Sequence, residues 1–117
     1  MNIRIVAEAD IGSFIAVGPE GNYFVLTLDD IKDIELGDVL SGTFDDDGSS
    51  PYSVKNTTEQ EDVQIVLEAL ECSADMAIKH LLEFMRAKPG VIFVGGKRFS
   101  SDMKDIAHQI RSEILKS

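Results

Sequence analysis

The spacing of apolar residues changes at Ser73, and this change limits what the chain can fold into. Before it, short runs rich in β-branched and aromatic residues alternate with turn chemistry. After it, apolar residues recur at helical spacing. Such a chain is expected to be α+β, with its sheet built first and its helices laid on afterwards.

Ile3–Glu8, Ser13–Val17 and Asn22–Leu28 read as strands, and Gly18-Pro19-Glu20-Gly21-Asn22 between the last two has the residues of a tight hairpin. Asp29–Ile34 reads as one helical turn opened by an Asp cap, followed by a strand over Val39–Phe44 that Gly42 interrupts. Asp45–Pro51 is a loop on composition, and Tyr52–Asn56 resumes an extended pattern. Glu61–Leu70 fits two patterns: Val63, Val66, Leu67 and Leu70 at helical spacing, or Val63, Ile65 and Leu67 in alternation. A strand is favoured, because it completes a hairpin with Tyr52–Asn56.

From Ser73, an N-cap serine precedes an apolar stripe of Ala74, Ala77, Ile78, Leu81 and Met85, which Lys88-Pro89-Gly90 ends. Val91–Val94 is an apolar run of strand length. A second helix is expected from about Ser101, carrying Met103, Ile106, Ala107, Ile110 and Ile114 on one face. The expected architecture is a small curled antiparallel sheet or barrel of five to six short strands (residues 2–70), followed by helix–strand–helix (residues 73–116).

At 117 residues the chain is expected to form a single domain, 1–117, around one core. Hydrophobic residues at 44% and charged residues at 27% are the proportions of a globular chain rather than a disordered one. Cys72 is the sole cysteine, the first residues lack the features of a secretory signal, and no apolar run approaches a bilayer span. A cytoplasmic location is expected, with no membrane association.

Charge follows the same division. The net charge is −10, with residues 1–72 holding 16 acids against three bases (−13) and residues 73–117 five against eight (+3). An acidic β-rich part repels phosphate backbones, so nucleic acid is not expected to bind there, and most of Phe14, Tyr23, Phe24, Phe44 and Tyr52 are expected to pack in a core.

The stretch from Val94 through Gly95, Gly96, Lys97 and Arg98 to Ser100 and Ser101 has the order strand, glycines, cations, helix start. Backbone N–H groups, hydroxyls and cations could there converge on an anion. It does not fit the phosphate-loop signature, because Arg98 follows Lys97 and Val91 stands where the first glycine belongs. Asp45, Asp46, Asp47 and Gly48 do not fit a calcium-loop register, which would need ligands at Thr43 and Val54. The run Asp29, Asp30, Asp33, Glu35 and Asp38 has no nearby histidine to suggest a hydrolytic metal. Cys72 and His80 are too far apart on a helix to act as nucleophile and base, and nothing local brings His108 to them.

No catalytic constellation, metal site or cofactor is therefore expected. The function the residues suggest is a small acidic, non-enzymatic binding or adaptor module acting through a protein partner. The alternative is an anion- or nucleotide-binding protein using Gly95–Ser101, and more remotely an acidic mimic of nucleic acid.

Overall fold

A computed structural model of the protein describes residues 1–45 and 50–116. In chain order it contains β1 (Asn2–Ala9), β2 (Ser13–Val17), β3 (Tyr23–Leu28), β4 (Val39–Ser41), β5 (Tyr52–Asn56) and β6 (Glu61–Cys72). These are followed by α1 (Ala74–Phe84), β7 (Val91–Val94), β8 (Lys97–Ser100) and α2 (Ile106–Ile114).

Six strands close into an antiparallel barrel in the order β1–β2–β3–β6–β5–β4, with β4 returning to β1. Closure satisfies backbone groups that an open sheet would leave at two edges. Alternation then sends every second side chain inward. Ile3, Ile5, Phe14, Phe24, Leu26, Leu40, Val54, Val63, Ile65 and Leu67 fill the barrel, joined by Ile34 and Phe44 from the connections. Phe14, Phe24 and Phe44 lie there with Tyr52 partly buried against them, while Tyr23 is buried outside the barrel; Phe24 and Phe44 meet as a tilted pair with centroids 6.0 Å apart.

A second core lies between the outside of the barrel and the helices. Ile15, Val25 and Ala69 face outward onto Ala77, Ile78, Leu81 and Met85 of α1 and Ile106, Ile110 and Ile114 of α2. β2 and β3 serve both cores by simple alternation, whereas β1 and β6 do so because each carries a bulge. In β1, Ile5 pairs with Ala16 but Ala7 pairs with Ile15, so Val6 is an extra residue. Ile3 and Ile5 point inward, whereas Ala7 and Ala9 point outward. In β6 the step from Leu67 to Ala69 opposes the single step from Leu26 to Val25, and the inward row becomes an outward one.

The ambiguous segment is thus a strand, with Val54 opposite Val63 in the expected hairpin. The Gly18–Asn22 turn forms as expected: Gly18 N–H donates to the Asn22 carbonyl at 2.8 Å and Gly21 has φ +82°. α1 starts at its expected cap, where the Ser73 hydroxyl accepts from Met76 N–H at 3.2 Å.

Other expectations are corrected. Asp29–Ile34 is not a helical turn. The Asp30 carboxylate does accept a local N–H, from Lys32 at 3.2 Å, but also one from Gln64 at 3.0 Å, which ties the segment to β6 instead of starting a helix. The strand expected over Val39–Phe44 is regular only over Val39–Ser41; Gly42 still exchanges hydrogen bonds with Met1, in register with β1, and the extended pattern ends there. The helix–strand–helix order becomes helix–hairpin–helix. Gly95 and Gly96 have φ +59° and +74°, which makes a two-residue hairpin turn, and the chain returns as β8 with Phe99 opposite Ile92. α2 begins at Ile106 and not near Ser101, entered through Asp105 at φ +61° with no side-chain cap.

Candidate functional site

The six residues of the glycine–cation stretch are spread over the β7–β8 hairpin. Gly95 and Gly96 form its turn. Lys97 lies on the side facing α2, where its Nζ is 2.8 Å from Glu113 Oε1. Arg98, one residue on, faces the opposite side across from Phe93. The Ser100 hydroxyl bonds the Asp102 carboxylate, and Ser101 Oγ accepts from Gly90 N–H at 2.8 Å. Alternation along a strand has separated the donors that a strand-to-helix loop would have gathered.

The acidic connection between β3 and β4 uses its carboxylates structurally. Asp33 accepts from Ile34 N–H at 2.9 Å. Asp38, 3% exposed, accepts from Glu35 N–H and from the buried Asn56 Nδ2, each at 2.9 Å. Glu8 on β1 stands near this connection. Partial burial raises its pKa, helped by repulsion from Asp33, Glu35 and Asp38. Asp46, Asp47 and Gly48 of the calcium-loop reading lie outside the described residues. Among the described residues no group of three or more His, Cys, Asp or Glu is placed to hold a metal ion.

Cys72 ends β6 half-buried. Its Sγ lies 3.3 Å from the Tyr23 carbonyl, and burial pushes the thiol pKa up, away from thiolate chemistry. Neither histidine is hydrogen-bonded to it. His108 is exposed on α2, and His80 is half-buried on α1.

A concavity between the two helices was not evident from the sequence. α1 and α2 lie side by side over the outer core and leave between them a groove of about 790 Å³. Ile78, Leu82, Met85, Pro89 and Ala107 give it apolar lining. Lys79, Arg86, His108 and Arg111 stand along it with Asp75, Glu83 and Asp102. Arg111 Nε bonds Asp75 Oδ1 at 3.0 Å and so links the two helices, while Lys79 and Arg86 have no carboxylate within ion-pair distance among the described residues. One signal for the groove existed: Lys79 and Leu82 share a face of α1 beside its core stripe, and Arg86 follows just past the end of the helix. The wall opposite them depends on where α2 docks, which local spacing does not encode.

Among the described residues no helix is long and apolar enough to cross a membrane. No protein-family model, no curated protein and no solved structure matches this chain.

Proposed function

We propose that this protein is a non-enzymatic binding module that receives an amphipathic segment of a protein partner in the groove between α1 and α2. The observation that carries the reading is the groove itself: apolar residues along its bottom, and two rim cations, Lys79 and Arg86, without carboxylate partners of their own. Apolar side chains of the guest would lie on Leu82, Pro89 and Ala107, and its carboxylates would meet Lys79 and Arg86. Both helices are packed on the outer core, α1 through Ile78 and Leu81 and α2 through Ile106 and Ile110, with Arg111 bonded to Asp75 across them, so the walls of the groove are set by the fold before a partner arrives.

The test is affinity capture from host extract, followed by reconstitution with the purified partner. Lys79→Glu with Arg86→Glu should weaken the purified complex by about tenfold or more, and raised salt should weaken it further. A barrel-surface control, Asp62→Lys, should leave it intact. A partner held equally well by the groove variant would overturn the reading.

A further inference from the structure

Each barrel strand has a neighbour on both sides, and β7 lies between β1 and β8. Among the described residues β8 alone is paired on one side only. The two-residue turn fixes which of its backbone groups are spare. Val94 and Lys97 flank the turn as a hydrogen-bonded pair, so Phe93 opposite Arg98 is a pair without ladder bonds. The Arg98 N–H and C=O therefore point away from β7, and neither has a partner outside the ladder. Ser100 is in the same phase, but its carbonyl already accepts from Met103 N–H at 3.1 Å.

This edge is held rigidly from behind. Phe99, 9% exposed, is anchored in the outer core, and Lys97 is tied to Glu113. The Arg98 side chain is exposed, with no carboxylate within ion-pair distance among the described residues.

The geometry points to the free edge of β8 as a strand-addition site for an extended, acidic segment of a partner protein. Main-chain bonds to the Arg98 N–H and C=O supply the attachment, and Arg98 selects a strand that brings a carboxylate beside it. The same cation discriminates against a second copy of this chain. A β8 edge meeting another β8 edge places Arg98, a cation without a carboxylate partner among the described residues, close to its own copy.

The site is tested with isotope-labelled protein and two end-blocked hexapeptides, one alternating Val with Glu and one alternating Val with Lys. The Glu peptide should shift the amide resonances of β8 and slow hydrogen exchange at the Arg98 amide. Arg98→Glu should weaken its binding about three- to tenfold and make the Lys peptide the better ligand. An unchanged spectrum outside β8 shows that the variant is folded, and Lys79→Glu in the groove should have no effect, which separates this site from the one between the helices. An Arg98 amide unmoved at millimolar Glu peptide would overturn the assignment, as would binding indifferent to charge or shifts confined to the groove. Concentration-dependent dimerisation through β8 would overturn it in favour of a second copy.

Discussion

Lys97 Nζ lies 2.8 Å from Glu113 Oε1, and this contact joins the β7–β8 hairpin to the last turn of α2. The hydrogen bond from Lys97 holds the Glu113 carboxyl below the usual carboxylate range, with Lys116 adding to the effect. A depressed pKa in the folded state means that the contribution is complete above the unfolded value and disappears as pH falls through the folded one. Lys97→Met should therefore lower the melting temperature near neutrality. The gap from the unmodified protein should narrow as the buffer is taken to the acid side of the carboxylate range, which a series of thermal melts against pH would show.

The two turn glycines make a graded pair. Gly95 and Gly96 both have positive φ, but a Cβ on Gly95 would also come within 2.6 Å of Glu113 Oε2, whereas one on Gly96 meets nothing within 4 Å. Gly96→Ala should cost about 1–2 kcal/mol from backbone strain alone. Gly95→Ala should cost more, because the Glu113 carboxylate must also move; denaturant midpoints with unchanged slopes would measure the order. Equal losses would mean that the carboxylate yields freely.

Asp38 works as a strut. It is 3% exposed, and its Oδ2 accepts from both Glu35 N–H and Asn56 Nδ2, which fixes the β3–β4 connection against the start of the β5–β6 turn. Asp38→Ala strands two donors, one of them on the fully buried Asn56, and should destabilise the protein by about 2–4 kcal/mol in equilibrium unfolding.

Glu8 has the opposite sign to Glu113. Burial first, and then Asp33, Glu35 and Asp38, raise its pKa, so ionising it opposes folding in full above the folded pKa, and the penalty fades as pH falls through that value and is gone below the unfolded one. Glu8→Gln should raise the melting temperature at neutral pH by on the order of 1–3 °C, the small size reflecting solvent screening. Repeating the melt in acid should erase the gain.

Strands and turns whose determinants are local could be read from the sequence: the Gly18–Asn22 hairpin, the Ser73 cap, and the alternation of Val63, Ile65 and Leu67. β8 could not. Gly95-Gly96 followed by cations and serines resembles a loop entering a helix, and the decisive fact is that Phe99 reaches the outer core, which is a tertiary contact. The late start of α2 has a similar origin: Ser101, the natural cap, is engaged by Gly90 N–H, and the helix begins past a left-handed Asp105. The groove was illegible for another reason, since its two walls come from helices more than 20 residues apart in the chain.

The bulges in β1 and β6 have a mechanical consequence. Each strand belongs to the barrel interior at one end and to the helical layer at the other, so loosening either core strains the backbone that frames its companion. The two cores should therefore melt together, and Phe24→Leu in the barrel and Ile110→Val under α2 should lower a single shared midpoint instead of splitting the transition. A force applied at the helices is likewise transmitted along β6 into the barrel wall.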